Sequence, residues 1–163
     1  MKTAFAPIID PESKILILGT MPGVRSLELQ QYYGHTGNHF WKILFCLFDE
    51  PFTKAYEKRV DLLHRKHLAL WDVLSHCEGE GSADTAIRNE VANDFKAFYE
   101  AHPHIQHVFW TSRGAEKLYK KHVGLDSSKT YALLPSPSGA YASMPFEKKV
   151  EKWSVMLELL NER

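Results

Sequence analysis

The sequence predicts an α/β fold, a three-layer α/β/α sandwich around a central, mainly parallel four-stranded sheet. Two observations carry that expectation. Four short apolar runs recur along the chain, and amphipathic helical patterns alternate with them. The length, 163 residues, suits one domain with its own core, so residues 1–163 are expected to fold as a single unit.

The first run, Lys14–Gly19 (KILILG), is almost wholly apolar and ends in glycine, as a strand buried on both faces does. After it, Asn38–Phe48 sets Phe40, Leu44 and Leu47 on one helical face. His67–Trp71 (HLALW) reads as the second strand, and Ala92–Ala101 as a helix carrying Phe95, Phe98 and Tyr99. Gln106–Thr111 (QHVFWT) is the third strand. The helix expected at Gly114–His122 carries Leu118 and closes on basic residues, which suit the negative end of the helix dipole. Thr130–Leu134 (TYALL) is the fourth strand. Beyond it, Phe146, Val150, Trp153, Leu157 and Leu160 recur at spacings of four, three, four and three, an amphipathic helix with Pro145 at its first turn.

Composition bounds the function. Hydrophobic residues make up 44% of the chain and charged residues 25%, an ordinary globular balance. No apolar run reaches membrane-spanning length, and the N-terminal stretch lacks the apolar core of a signal peptide, so the expected location is the cytoplasm. The two cysteines, Cys46 and Cys77, fit reduced thiols better than a disulfide, and are too few to hold an iron–sulfur cluster by themselves. The 20 basic and 20 acidic side chains cancel, so the chain lacks the basic excess common in nucleic-acid binders. Segregated charge on a compact enzyme still permits such a partner.

In parallel α/β sheets, ligands bind beyond the carboxyl ends of the strands. That rule singles out the segments after Gly19, from Asp72, from Thr111 and from Leu134. Two are unusual. In GTMPGVRSLELQQYYGHTGNHFWKIL (residues 19–44), Gly19 and Gly23 flank Pro22 directly after a strand, leaving the amides of Thr20 and Met21 free to donate. The segment lacks the Gly-Lys-Ser/Thr of a P-loop. It continues into Tyr32, Tyr33, Gly34, His35, Gly37, Asn38, His39, Phe40 and Trp41. Phe40 and Trp41 begin the helical periodicity and read as core. Tyr33 reads equally as a packing residue or as a platform for a base. Asn38 reads first as a helix N-cap. His35 and His39 are four apart, but Gly37 between them and the lack of a nearby carboxylate or cysteine argue against a metal site. His102, His104 and His107 surround Pro103 and read as a solvated loop. In the second unusual segment, LLPSPSGAYASMP (residues 133–145), Ser136 and Ser138 offer hydroxyls, Pro135 and Pro137 stiffen the backbone, and Gly139 permits close approach. Tyr141 suits a wedge beside an extruded base.

Together these segments resemble the uracil-DNA glycosylase superfamily. The pattern G-T-M-P-G-x-x-S-L, then Y-Y-G-H-x-x-N-x-F-W-K, then L-P-S-P-S is most similar to its hypoxanthine-DNA (deoxyinosine) glycosylase branch. LWDVLSHCEGEGSADTAIRN (residues 70–89) and FEKKVEKW also resemble that branch, so the likeness runs almost end to end. The resemblance implies a monofunctional DNA glycosylase of base excision repair. It would act on double-stranded DNA containing a damaged base, as a monomer, with no metal and no cofactor. Met21 falls where the superfamily commonly carries a water-positioning Asp or Asn, and the catalytic role passes to Asn38. Thr20, Met21 and Tyr33 would contact the base. Ser136, Ser138, Gly139 and Tyr141 would contact DNA. Leu134 stands where the main uracil enzymes have His, and Thr111-Ser112 where relatives have Asn-Gly, so hypoxanthine is expected ahead of uracil.

The implied reaction rotates the lesion nucleotide into the pocket, which costs least for a mispaired base. The base departs from an oxocarbenium-like sugar, and Asn38 orients the attacking water. Three other readings remain open to the residues alone: a hydrolase of free nucleosides or nucleotides, a nucleic-acid-binding domain without catalysis, and an unrelated phosphate-binding α/β domain in which Asn38 only caps.

Overall fold

A two-residue strand, β1 (Lys2–Thr3), precedes the first long strand, β2 (Ile15–Gly19), which becomes the centre of the molecule. The computed structural model describes residues 1–82, 84–141 and 143–161. Every residue of β2 is buried, because helices cover both of its faces. On one side it pairs in parallel with β3 (Leu68–Asp72), in a register that sets Gly19 opposite Asp72. On the other it pairs in parallel with β6 (His107–Trp110), which pairs in turn with β7 (Thr130–Leu133). The spatial order is β3-β2-β6-β7, with all three pairings parallel. The four expected strands are therefore present, and the expected mainly parallel sheet is parallel throughout.

Strand alternation divides the core into two layers. Ile15 and Ile17 pack with α2 (Phe40–Leu47), α3 (Tyr56–Arg65) and the C-terminal pair α6 (Phe146–Trp153) and α7 (Val155–Leu160). Leu16 and Leu18 face α4 (Phe95–Ala101) and α5 (Arg113–His122). The result is the three-layer arrangement the alternation of strands and helices predicts.

Local chemistry sets the helix ends. Asp94 caps α4 by accepting from Ala97 N–H at 3.0 Å, and Ser112 caps α5 by accepting from Ala115 N–H at 3.0 Å. The sequence pattern for α4 begins three residues early, because Ala92 ends a strand instead. The final periodic run is two helices, broken at Ser154, although its apolar stripe continues across the break. The sequence reading lacks the short α1 (Val24–Leu29), α3 and a second sheet. That sheet is antiparallel, β1 with β4 (Leu74–Glu78) and β4 with β5 (Arg88–Ala92). Its strands are mostly polar, with only Leu74 and Cys77 of β4 in the core, so no apolar run announces them. The histidines around Pro103 are half-buried rather than solvated. His102 packs its ring on Phe98, and His104 Nε2 lies 3.2 Å from the Asp10 carbonyl oxygen.

Trp153 ties the C-terminal layer to the sheet edge. It is fully buried, meets Phe40 edge-on, and donates its indole N–H to the Pro135 carbonyl at 2.9 Å. Trp153→Ala is expected to cost about 3–5 kcal/mol through the cavity it leaves. Urea unfolding would show this as a lower midpoint at unchanged slope.

Candidate functional site

The carboxyl ends of β2, β3 and β6 open into a cavity of about 800 Å³. It lies where the chain, having placed β3 on one side of β2, returns to the other side with β6. Strand order reverses at that point and leaves a crevice. Three loops form most of its wall, residues 19–23, residues 32–39 and residues 135–140, and Arg25 and Ser26 of α1 with Ser82 and Asp84 complete it.

Tyr33 shapes the wall. Its backbone is in the left-handed region, φ 52°, a conformation that costs energy for a bulky residue. Two contacts hold it there. The ring stacks on Phe40 at 4.0 Å between centroids and 11° between planes, and Oη lies 3.1 Å from Thr111 Oγ1. Burial, with Asp72 nearby, keeps the phenol protonated well above its ordinary range. The packing and platform readings of Tyr33 are thus compatible: Phe40 covers one face while the residue lines the cavity.

Asn38 lines the same cavity, just before α2. Its Oδ1 accepts from Phe40 N–H at 2.9 Å, so the side chain caps the first turn from one residue outside the N-cap position, His39. A carbonyl oxygen has a second lone pair, and capping leaves it available. Phe40 and Trp41 are core residues, 0% and 2% exposed, as their place in the periodicity predicts.

The loop at 135–140 is built by its own hydroxyls. Ser138 N–H donates to Ser136 Oγ and Ala140 N–H to Ser138 Oγ, each at 3.2 Å. It is fastened to the 32–39 loop by His39 N–H donating to the Pro137 carbonyl at 2.8 Å. Lys149, 1% exposed, donates to the Ser138 carbonyl at 3.3 Å from beneath. Burial holds its ammonium below the usual lysine range. Gly139 sits so close to the facing loop that a Cβ would stand 2.6 Å from the Gly37 carbonyl oxygen. Ser136, Ser138 and Gly139 line the cavity; Tyr141 is exposed and outside its lining.

Thr20 and Met21 also line the cavity, and Met21 packs against the core layer beside α4 and α5. Thr20 Oγ1 donates to Asp84 Oδ2 at 3.0 Å and lies 3.2 Å from Ser112 Oγ. Leu134 is a core residue, 2% exposed. The structure therefore brings together Asn38, Thr20, Met21, Tyr33, Ser136, Ser138 and Gly139 around one cavity, and leaves Tyr141 outside it. Among the described residues, no three His, Cys, Asp or Glu side chains gather as a metal-ligand set.

Two cavity carboxylates have no role in the sequence reading, although Asp72 opens one of its strand-end segments. Asp84 enters from a 3-10 turn at Asp84–Ala86, and burial raises its pKa above the ordinary carboxylate value. Asp72 ends β3 and is buried. Burial, reinforced by the negative charge of Asp84, pushes it up to about 7. The available signal was an acidic residue directly terminating an apolar strand.

Comparison with known proteins places this geometry in a lineage. Residues 6–161 match the uracil DNA glycosylase superfamily. A protein of Methanosarcina acetivorans named hypoxanthine DNA glycosylase is 35% identical over 86% of this chain and 88% of its own length. One of the same name from Methanosarcina barkeri is 37% identical over 69% of this chain and 72% of its own. The fold is similar to a solution NMR structure of a Methanosarcina acetivorans protein provisionally named a uracil DNA glycosylase. The TM-score is 0.81 at 32% identity, covering 99% of both chains. The chain belongs to the uracil DNA glycosylase superfamily, and the enzyme class is DNA glycosylase.

Two predictions follow from this geometry. Gly139→Ala should force the two loops apart and reduce activity on DNA at least tenfold while the core stays intact, checked by single-turnover assay beside circular dichroism. Asp72 makes stability depend on pH. Its folded pKa, about 7, lies above the ordinary 3.8, so the folded state binds more protons between those values. Its contribution is fully present below about pH 4 and is lost as pH rises through 7. Asp72→Asn should therefore stabilise the protein at pH 8 by on the order of 2–4 kcal/mol and leave it nearly unchanged at pH 4, measured by denaturant unfolding.

Proposed function

We propose that the chain is a monofunctional DNA glycosylase that hydrolyses the N-glycosidic bond of a deaminated base, hypoxanthine ahead of uracil, flipped out of double-stranded DNA. One observation carries the reading. Asn38, Tyr33 and the Ser136–Ser138 loop meet around one cavity although they are far apart in sequence. The two relatives named hypoxanthine DNA glycosylase support the choice of base. So does Leu134, whose apolar side chain in the core offers no donor to a uracil carbonyl.

In this reading the extruded base lies against Tyr33, Thr20 and Met21, and is favoured when its mispair makes unstacking cheap. Ser136 and Ser138 turn their hydroxyl protons toward backbone phosphates, since the same oxygens already accept from loop amides. Tyr141, exposed beside this loop, is free to wedge into the stack. The free lone pair of Asn38 Oδ1 accepts from a water and aims it at C1′ as the base departs, a positioning role. Two free thiols, Cys46 and Cys77, suit the reducing cytoplasm.

The test is incubation with duplex carrying one deoxyinosine, followed by alkaline cleavage at abasic sites. The wild type should release the base, and Asn38→Ala should lose at least a hundredfold in single-turnover rate while binding the same duplex within a few-fold. Release from free inosine but not from duplex would instead mark a nucleoside hydrolase. Binding without release would mark a non-catalytic module.

A further inference from the structure

Asp72 has no part in the reaction as described above, yet it is the most unusual group in the cavity. It lines the cavity while being only 4% exposed. Its Oδ2 is buried and has no hydrogen-bond partner among the described residues. A methyl on Gly19 would stand 2.7 Å from Asp72 Oδ1 and 2.9 Å from Tyr33 Oη, so the carboxyl and the phenol close around that glycine. The titratable groups that act on or respond to it are Asp84, from the 3-10 turn, and Tyr32 and Tyr33, from the loop before α2. None of these supplies a positive charge. Arg25 and His35 also line the cavity, but Arg25 is paired with Glu28 at 2.9 Å and neither is among the groups that act on Asp72. An ionised carboxylate so placed would be costly, whereas a carboxylic acid is a hydrogen-bond donor in search of an acceptor.

We propose that Asp72 is the general acid of the reaction, delivering its proton to N7 of an extruded purine as the glycosidic bond breaks. The proposal rests on the glycosylase reading above. The C1′–N9 bond cleaves with its electron pair passing to the purine, and the Asp72 proton goes to N7, so the base leaves neutral. Water adds to C1′ through its oxygen and gives up one proton. Asp72, left as the carboxylate, regains a proton from solvent. The sum is glycoside plus water giving free base plus abasic sugar. An acid whose pKa burial raises to about 7 is suited to proton transfer near neutrality. The same step makes a choice among bases. Hypoxanthine offers N7, whereas uracil has no ring nitrogen free to accept, so the acid accelerates loss of the purine specifically.

The experiment measures single-turnover base release from duplexes carrying deoxyinosine or deoxyuridine, by wild type and Asp72→Asn, between pH 6 and 9. On deoxyinosine the wild-type rate should fall with pH, approaching tenfold per unit well above pH 7. Asp72→Asn should be slower by about a hundredfold at pH 6 and insensitive to pH, while binding the inosine duplex within a few-fold. Its rate on deoxyuridine should change less than tenfold, so the preference for hypoxanthine collapses. A wild-type rate that is flat across the range overturns the proposal without any variant. So does an Asp72→Asn protein that keeps the wild-type rate and pH profile. A wild type that releases no base from inosine DNA removes the glycosylase reading itself, and this proposal with it.

Discussion

Hydrogen bonds between β2 and its two parallel neighbours decide where every functional group stands. Because β2, β3 and β6 run the same way and are in register, their carboxyl ends finish together. Gly19, Asp72 and Thr111 arrive at one edge, and the loops they feed have no choice but to share it. Parallel pairing requires each connection to cross the sheet, so long segments separate the strands and supply those loops. The cavity is a consequence of the topology before it is a consequence of any one side chain.

The site holds groups that the rest of the molecule must stabilise. Tyr33 occupies a left-handed backbone, Asp72 buries a carboxyl oxygen without a hydrogen-bond partner among the described residues, and Lys149 buries an ammonium against the Ser138 carbonyl and the Tyr141 ring. Each costs free energy in isolation. The aromatic packing around them offsets this. Phe40 meets Tyr33, Trp41 and Trp153 at once, joining the mobile-looking loop composition of residues 32–39 to the core. The second loop is anchored at its start by Leu134 in the core and by the Trp153 indole on Pro135, and further along by Lys149 on the Ser138 carbonyl. Rigid loops rather than flexible ones form the walls, as preorganised positioning of water and base requires.

Much of this was legible in the sequence. The four apolar runs became the four strands; for β2, β3 and β6 the reason is that a strand covered on both faces leaves little room for polar residues, whereas β7 is a largely exposed edge strand. Asn38, Tyr33, Ser136 and Ser138 stood out because turn residues and aromatics cluster directly after strands. What stayed hidden had weak local signals. The antiparallel sheet of β1, β4 and β5 is mostly polar and only partly buried, and its pairing depends on tertiary contacts. Tyr141 carried the same loop chemistry as its neighbours, yet the turn after Ser138 leaves it outside the cavity. Asp72 was hidden for the opposite reason. A single acidic residue after HLALW looks like the polar end of a strand, and only the folded register sets it beside Gly19, near the second carboxylate of Asp84.

The central claim is that this cavity receives an extruded base. The most direct test is a crystal structure of Asn38→Ala bound to a duplex with one deoxyinosine, the substitution being chosen to slow release. The account predicts the hypoxanthine ring out of the helix, against Tyr33 with N7 toward Asp72, and the flanking phosphates at Ser136 and Ser138. A lesion base still stacked within the duplex, or seated at any other surface of the protein, would contradict it.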